Sequence, residues 1–360
     1  MTFRSDAQGG WDAAPDLYLP SNALTLLTAL ASALAGGHPA EMVYLEDGAP
    51  LPGALEAGIR RRFPEIAFSV RSDRAAIAEF ANLPAMFPEI LRRNLALSRG
   101  RPCRPAARPP SWLGVRYRTA HIYLSGNFVS KTLRRRCQTI VLREEGLANY
   151  HTLRFGPGRA LLRLLSGRSP RRHIMGEEPW IDRIELDHPE SLPPALRAKA
   201  GRLSFPDLLD RLPPVVARDL AALFWPGQGP GNIGRAALIL TQPIEQTGFC
   251  SASEKAAIYA GIETRLRRAG YAVVIKRHPR ETAGNEAGHL VIPAFFPIEA
   301  WPWLVEQKFE LAVGLCTAAL DRTGGLFSKR QLQLVDPGPF GRRDLTGWRE
   351  RLEAFCAGQG

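Results

Sequence analysis

The chain has 360 residues, long enough for two domains, and its 45% hydrophobic and 23% charged residues are ordinary values for a globular protein. This composition excludes a disordered, collagen-like or coiled-coil protein. No stretch of about 18 apolar residues is free of charge, so we expect no membrane-spanning helix. The first residues, MTFRSDAQGG, lack the apolar core of a signal peptide, and we therefore expect a cytoplasmic protein.

The cysteines are odd in number and dispersed, and no two of them form a CxxC pair. They are Cys103, Cys137, Cys250, Cys316 and Cys356. Such a set argues against a disulfide framework and against a zinc cluster. The chain also has neither an HExxH nor a DxD motif, so we expect no bound metal.

Basic residues exceed acidic residues, 47 against 35, which gives a net charge of +12. Most of this excess, a net charge of +9, lies in residues 1–225. The N-terminal half is therefore suited to an anionic partner, such as nucleic acid, phospholipid head groups or an acidic glycan.

In the first half of the chain, short apolar segments alternate with amphipathic ones. They predict strands at residues 17–19, 42–45, 66–70, 121–124 and 139–142, and helices at residues 22–35, 54–63 and 73–97, the last broken near Pro84. The Arg- and Pro-rich residues 98–110 predict an exposed loop. Apolar strands that alternate with helices indicate a mainly parallel sheet with both faces covered.

The second half shows the same alternation. It predicts strands at residues 236–240, 272–276, 290–292, 311–314 and 331–335, and helices at residues 253–269, 297–307 and 345–355. The turn-rich segment 225–231 favours a boundary between a domain of residues 1–225 and one of residues 226–360. Neither GxGxxG nor GxxxxGK[ST] follows the first strand of the second half, which argues against a dinucleotide site and a P-loop.

Three segments with reactive side chains follow predicted strands, where open α/β sheets place their ligands. In the first, Glu144 and Glu145 end a strand and Gly146 allows a sharp turn. Two carboxylates so close repel each other as anions, and this property suits a general base. A surface acidic turn is the alternative interpretation.

The second and third segments are suited to phosphate. Residues 276–280 deliver Lys, Arg, His, Pro and Arg at a strand end, where the basic side chains can donate to an anion and Pro279 stiffens the backbone. Cys316 and Thr317 follow an apolar strand at a helix start, where backbone N–H groups and the hydroxyl can bind an anion. A basic strand end and an ordinary helix cap are the alternatives.

Together the three segments resemble bacterial sialyltransferases, especially the capsular polysialyltransferase and lipooligosaccharide sialyltransferase families. These families carry a (D/E)-(D/E)-G motif, then a His-Pro motif, then a Ser/Thr pair, in the same order as residues 144–146, 278–279 and 316–317. The segments 240–243 (LTQP) and 296–299 (FPIE) are also similar to this group. The resemblance spans most of the chain, through short islands.

The resemblance implies a role for each matching residue. Glu144 or Glu145 is the general base, and the choice between them stays open. His278 stabilises or protonates the departing phosphate of CMP, Thr317 donates to that phosphate, and Glu299 accepts from the ribose hydroxyls. The other residues expected at the CMP-sugar site are Gly146, Gln242, Lys276, Pro279 and Cys316.

Two details depart from the family pattern. Cys316 stands where the family has its first hydroxyl, which weakens the phosphate argument. Residues 46–48, Glu-Asp-Gly, match the first motif a second time. The match at residues 144–146 is preferred over that at residues 46–48, because residues 146–149 also resemble the sequence that follows the motif in the family.

Two Rossmann-like domains, a Gly/Pro linker and a closing helix also resemble the GT-B type of α/β glycosyltransferase, in which the two domains face a central cleft. The implied function is inverting, metal-independent transfer of sialic acid or a related nonulosonic acid from a CMP-sugar to a glycan of the capsule or lipopolysaccharide. The CMP-sugar is a substrate, so no cofactor is expected. The expected partners are this sugar donor, an anionic glycan or glycolipid acceptor, and the inner membrane as a peripheral contact.

Two alternatives remain open. A GT-B enzyme could use another sugar donor, such as CMP-Kdo or a UDP- or GDP-sugar, and nucleotide preference would separate these cases. A basic, non-catalytic nucleic-acid-binding protein would explain the Arg runs at residues 60–62, 134–136 and 171–172. Aromatic residues do not interleave with these runs as a stacking surface requires, so no nucleic-acid partner is expected.

Overall fold

The computed structural model describes residues 9–78, 109–281 and 290–357, except 115, 147–148, 151, 153–155, 159, 162–173, 228, 247, 336–344 and 346. The chain divides into two compact units, Met1–Pro214 and Val215–Gly360. Within the described residues, no helix is both long and apolar enough to cross a bilayer.

The first unit is built on a parallel sheet, which has seven strands in the described part of the chain. These are β1 (Asp16–Leu19), β2 (Ala40–Leu45), β3 (Ile66–Arg71), β4 (Tyr117–Ile122), β5 (Cys137–Arg143), β6 (Arg183–Leu186) and β7 (Ala200–Arg202). The described helices are α1 (Gly9–Asp12), α2 (Ala23–Gly36), α3 (Gly53–Arg62), α4 (Asp73–Ala78), α5 (Phe128–Thr132), α6 (Pro194–Arg197) and α7 (Phe205–Leu209), with 3₁₀ turns at Leu133–Arg135 and Pro189–Ser191. The strand order is β3-β2-β1-β4-β5-β6-β7.

Helix α2 shows how local sequence positions an element against this sheet. The Asn22 side chain accepts a hydrogen bond from the Thr25 N–H at 2.9 Å, and the Thr25 hydroxyl oxygen accepts one from the Asn22 N–H at 3.0 Å. This reciprocal cap begins the helix, and Gly37, with φ of 65°, ends it in the left-handed region. Leu26, Leu27 and seven other residues of α2 are buried, so the helix is part of the core.

The second unit repeats the plan with five described strands, also parallel. They are β8 (Ala236–Leu240), β9 (Ala272–Lys276), β10 (Leu290–Ile292), β11 (Leu311–Gly314) and β12 (Gln331–Gln333). The described helices are α8 (Pro214–Leu223), α9 (Ala252–Arg268), α10 (Trp301–Leu304), α11 (Ala318–Phe327) and α12 (Trp348–Ala357), with a 3₁₀ turn at Ile298–Ala300. The strand order is β10-β9-β8-β11-β12. The expected α/β class with parallel sheets is confirmed.

Each sheet reverses its strand order once, and this reversal marks where open α/β sheets bind ligands. In the first sheet the reversal lies between β1 and β4, and in the second it lies between β8 and β11. The residues that follow those strands are therefore favoured positions for a site.

The predicted elements differ from the structure in several places, among them strand β12, which ends at Gln333 rather than at residue 335. Strand β4 begins at Tyr117, four residues before its predicted start. The prediction missed these residues because Arg118 makes the segment polar. In the structure the Arg118 guanidinium donates two hydrogen bonds to Asp16 on the neighbouring strand β1. Strands β6 and β7 were not predicted, because they are short and expose polar residues. The predicted helix 297–307 ends at Leu304, where Val305 is extended. Of the predicted helix 73–97 and loop 98–110, residues 79–108 lie outside the described residues.

The division between the units falls at Pro214, eleven residues before the sequence-based boundary at residue 225. The aromatic contacts of Trp225 give the physical reason. Its ring lies edge-on to Phe296, with centroids 5.2 Å apart, and to Trp301, with centroids 6.2 Å apart. These contacts attach the segment after α8 to the second unit, so Trp225 is a packing residue rather than part of a linker.

Candidate functional site

Two predicted site residues follow the strands at the reversal of the second sheet. Gln242 follows β8 and Cys316 follows β11. The Gln242 amide donates to the Cys316 carbonyl at 2.9 Å, and the Cys316 thiol donates to the Gln242 side-chain oxygen at 3.0 Å. The pair joins the two strand ends at the favoured ligand position.

Thr317 is held beside this pair by its backbone. Its N–H donates to the Gln333 side-chain oxygen at 3.0 Å, and its carbonyl accepts from the Gln333 amide at 2.8 Å. Thr317 is also the N-cap of α11, yet its hydroxyl makes no capping hydrogen bond. That hydroxyl can therefore donate to an anion at the start of the helix.

Cys316, which stands where the sialyltransferase pattern has a hydroxyl, is buried and uses its thiol within the protein. It is 2% exposed, and its thiol hydrogen is directed to Gln242. The thiol thus joins the two strand ends. Of the pair Cys316 and Thr317, only the Thr317 side chain is still expected to contact the phosphate directly.

His278 lies in a closed turn after β9. The Glu281 N–H donates to the His278 carbonyl at 3.0 Å, and the His278 N–H donates to the Glu281 carboxylate at 2.8 Å. Pro279 occupies the second position of this turn, which its fixed φ favours. Pro279 therefore acts on the site through the backbone.

The surroundings of His278 disfavour the imidazolium form. Burial lowers the pKa of His278 to about 4, assisted by the positive charge of Lys276 and opposed by Glu281. In the free protein at neutral pH the ring is therefore neutral, and it can donate a hydrogen bond to phosphate without carrying a charge. The Arg280 N–H donates to the His278 Nδ1 at 3.2 Å, which places the ring proton on Nε2.

Lys276 and Glu299 are both buried, each 7% exposed. The Lys276 ammonium donates to the carbonyls of Arg277 and Ala294, each at 2.7 Å, and so braces the loops after β9 and β10. Burial lowers the pKa of Lys276 to about 8, and the negative charge of Glu299 opposes this shift. The Glu299 carboxylate also accepts a long hydrogen bond from the Thr323 hydroxyl, at 3.5 Å.

Glu281 is a central residue of this edge that the sequence analysis did not single out. Besides the His278 N–H, its carboxylate accepts from the Thr241 hydroxyl and pairs with Lys255 on α9. One pattern in the sequence could have indicated Glu281: a carboxylate three residues after His278, with Pro279 at the second position of a turn. The other two partners of Glu281, Thr241 and Lys255, are distant in sequence and cannot be read from this pattern.

In the first unit, Glu144 follows β5, one strand away from the reversal. Its Oε2 accepts from the Tyr150 hydroxyl at 2.7 Å and from the Asp187 N–H, after β6, at 2.8 Å. The N–H groups of Glu145 and Gly146 both donate to the Asn149 side-chain oxygen, at 2.9 and 3.1 Å. The motif is thus held in a defined turn with the Glu144 carboxylate anchored to the neighbouring strand end.

Gly146 differs from the expectation of a glycine-dependent turn. It is not among the glycines of positive φ, and a Cβ built on it would meet no atom within 4 Å. The turn is instead formed by the Asn149 side chain, which is fully buried. A contact of Gly146 with the CMP-sugar therefore has no steric argument behind it.

The second acidic match, residues 46–48, has a structural use. The Asp47 carboxylate accepts from the Ser72 hydroxyl at 2.8 Å and from the N–H groups of Asp73 and Arg74 at the start of α4. Burial would raise the pKa of Asp47, but these hydrogen bonds together hold it below its ordinary value. Asp47 is thus a helix cap.

The structure therefore gathers Gln242, Thr317 and His278 on the carboxyl edge of one sheet, and it places Glu144 and Glu145 on that of the other unit. Among the residues that the structure describes, no group of three or more His, Cys, Asp or Glu side chains could hold a metal ion.

The fold has a solved relative. It is similar to a 2,6-sialyltransferase of Vibrionaceae Photobacterium sp. JT-ISH-224, crystallised in a ternary complex with the donor product CMP and the acceptor substrate lactose. The TM-score is 0.50 and the identity 10%, over 95% of this chain and 75% of that one. The likeness is one of fold. No protein-family model matches the chain, and a search of curated proteins gave no match.

Proposed function

We propose that this protein is an inverting, metal-independent glycosyltransferase that moves sialic acid or a related nonulosonic acid from a CMP-sugar to a glycan acceptor of the capsule or lipopolysaccharide. The observation that carries the proposal is the set of Gln242, Thr317 and His278 at the carboxyl edge of the second sheet, next to its reversal. The sialyltransferase-like fold and the order of the three motifs support the same assignment.

The proposed reaction is an in-line displacement at the anomeric carbon of the sugar. Glu144 or Glu145 takes the proton of the acceptor hydroxyl, whose oxygen forms the new bond to that carbon. The bond from the carbon to the phosphate oxygen breaks, and its electron pair leaves with CMP. His278 and Thr317 donate hydrogen bonds to the phosphate as its negative charge grows.

In the proposed GT-B arrangement, the first unit binds the acceptor and the second unit binds the CMP-sugar. The net charge of +9 in residues 1–225 supports an anionic acceptor, a glycan or glycolipid. It also supports a peripheral contact with the anionic inner membrane. Glu299 would accept from the ribose hydroxyls, as in the sialyltransferase pattern.

Calorimetry of nucleotide binding tests the proposal. We expect CMP to bind in preference to UMP, UDP and GDP, with the same affinity in EDTA. His278→Ala should weaken CMP binding at least tenfold because it removes the Nε2–H donor, whereas His38→Ala, at an exposed position of the first unit, should change it less than twofold.

The alternatives predict different results. A preference for UDP or GDP would retain a nucleotide-sugar enzyme and refute the CMP-sugar. Unchanged CMP binding in the His278→Ala protein would refute the proposed phosphate site. Binding of RNA or DNA, with no binding of any nucleotide, would favour the nucleic-acid alternative.

A further inference from the structure

Glu281 connects three elements of the second unit at the place where His278 lies. Its carboxylate accepts from the His278 N–H after β9, accepts from the Thr241 hydroxyl after β8, and pairs with Lys255 on α9. Its side chain is only 6% exposed. A buried carboxylate with three partners has a fixed position, and it transmits that position to the backbone of His278.

The same turn fixes the ring of His278 as well as its backbone. The Glu281 N–H closes the turn on the His278 carbonyl, which brings the Arg280 N–H to 3.2 Å from Nδ1. Because Nδ1 accepts this hydrogen bond, the single proton of the neutral ring lies on Nε2. The tautomer of His278 thus depends on this turn, which the Glu281 carboxylate stabilises by accepting from the His278 N–H.

Most of the charged groups around the ring disfavour its protonation. Lys276, Arg280 and Lys255 are cations and disfavour a second proton on the imidazole, and Glu281 is the anion that opposes them. Lys255 and Glu281 form an ion pair with each other, which offsets much of the charge of both. The ring therefore stays neutral and keeps one N–H to offer.

We infer that Glu281 is a positioning residue, which holds His278 so that its Nε2–H donates a hydrogen bond to the phosphate of the CMP-sugar. This inference rests on the proposed function and adds a residue and a mode of action to it. His278 contributes a directed hydrogen bond rather than a proton, and CMP leaves as the charged phosphate. No proton has to be returned to the ring in each turnover.

Glu245 provides a matched control for this role. It also pairs with Lys255, at 2.8 Å, and so resembles Glu281 in its charge and in its partner. The His278 N–H and the Thr241 hydroxyl, however, donate to Glu281. A difference between the two positions therefore reports on the turn and not on the ion pair.

The experiment compares Glu281→Met, Glu281→Gln and Glu245→Met. Met keeps the volume of Glu but cannot accept a hydrogen bond, and Gln keeps an acceptor for the His278 N–H without the charge. We expect Glu281→Met to weaken CMP binding at least tenfold. Glu281→Gln should recover the affinity to within about threefold of the unsubstituted protein, and Glu245→Met should stay within about twofold.

A second readout does not depend on CMP. Nitrogen NMR of the histidine rings, with the His278 signals assigned by their loss in His278→Ala, reports which ring nitrogen carries the proton. The unsubstituted protein, Glu281→Gln and Glu245→Met should show the Nε2–H tautomer, and Glu281→Met should show a mixture.

The outcomes separate the two claims. If the unsubstituted protein binds CMP, and folded Glu281→Met binds it equally well with the Nε2–H tautomer, the inference is wrong and the proposed function stands. If neither the unsubstituted protein nor any variant binds CMP, but the tautomer of His278 changes in Glu281→Met, then Glu281 positions the ring and the proposed function is wrong. If Glu281→Met does not fold, Glu281→Gln and Glu245→Met decide. A loss of CMP affinity in Glu281→Gln as large as that in His278→Ala, with the Nε2–H tautomer kept, refutes the inference.

Discussion

The carboxyl edges of the two sheets have the same strand plan but use their polar residues differently. On the first, the carboxylates that follow β2 and β3 serve the backbone: Asp47 caps α4, and Asp73 accepts from the N–H groups of Phe128 and Val129 at the start of α5. On the second, Thr317 stands at the start of α11 and its hydroxyl caps nothing. A carboxylate that accepts from the N–H groups of a helix start has a structural role, whereas a helix start whose N-cap hydroxyl makes no capping hydrogen bond is suited to a ligand.

The histidines of the two units show the same contrast. His121, on β4, is 7% exposed and its ring stacks on Tyr18, with centroids 4.5 Å apart. His278 is half-buried and lies in a turn after β9. Burial lowers the pKa of both rings. A lowered histidine pKa alone therefore does not identify a functional residue, and the position of the ring in the sheet decides.

The largest expected effect separates the two acidic motifs of the first unit. One of Glu144 and Glu145 is the proposed general base. Replacing that residue by Gln should lower the rate of transfer from CMP-sialic acid at least about 100-fold, because the substitution removes the proton acceptor. Asp47→Asn should leave the rate per folded molecule within about twofold. A loss of rate in Asp47→Asn, with both Glu variants active, would place the reaction at the other motif.

The next largest effect should be on stability, from the loss of Asp73 at the carboxyl edge of the first sheet. Asp73→Ala should lower the free energy of unfolding by about 2 kcal/mol, because two N–H groups of α5 lose their acceptor. Urea denaturation followed by circular dichroism measures this change. CMP affinity should be unchanged, and a parallel loss of CMP affinity would contradict the purely structural role of Asp73.

On the second edge, Thr317→Val should weaken CMP binding about tenfold, since a hydrogen bond to a charged phosphate is lost. The matched change Thr264→Val, at an exposed position of α9, should have no effect on binding. Thermal unfolding should shift little in either variant. Equal CMP affinity of the Thr317→Val protein and the unsubstituted one, by calorimetry, would show that this hydroxyl does not contact the ligand.

The smallest effect concerns acid sensitivity. Burial lowers the pKa of His121 well below its ordinary value of 6.5, and the charges of Arg143, Arg118 and Arg183 add to the shift. The unfolded chain therefore binds a proton below pH 6.5 that the folded chain refuses, so stability falls as the pH falls through this range.

Replacing this ring should remove its contribution. His121→Phe keeps an aromatic partner for Tyr18 and should abolish about 1 kcal/mol of the stability lost between pH 7.5 and 5.5. His38→Phe, at an exposed position, serves as the control. An unchanged difference in denaturation midpoint between the two pH values would show that other groups cause the acid sensitivity.

Sequence patterns predicted the second unit better than the first. Strands β8 to β11 have the predicted bounds because they are short apolar runs between turns, and Ser251 caps α9 through a reciprocal pair with Glu254. In the first unit, Arg118 hides the first half of strand β4, because its charge is compensated by Asp16, a residue about 100 positions away in the sequence. Local patterns cannot report such long-range partners.

The site shows the same limit. The sequence predicted His278 and Thr317 as site residues because each follows a strand, and it predicted Gln242 from the resemblance of residues 240–243; both signals are local. It did not single out Glu281, whose role depends on Thr241 and Lys255, and it did not predict that the Lys276 Nζ donates to two backbone carbonyls. The partners of Glu281, and the Ala294 carbonyl that Lys276 contacts, lie on segments distant in sequence, so local patterns cannot report them.

The order of the strands along the chain has a consequence for synthesis on the ribosome. All described strands of the first sheet come from residues 16–202, and the first strand of the second sheet begins at Ala236. No described strand of one unit pairs with a strand of the other. Parallel pairing brings distant segments together slowly, and a nascent chain gains time for it when every partner has already emerged. The N-terminal sheet can therefore be completed while the ribosome is still translating the second sheet.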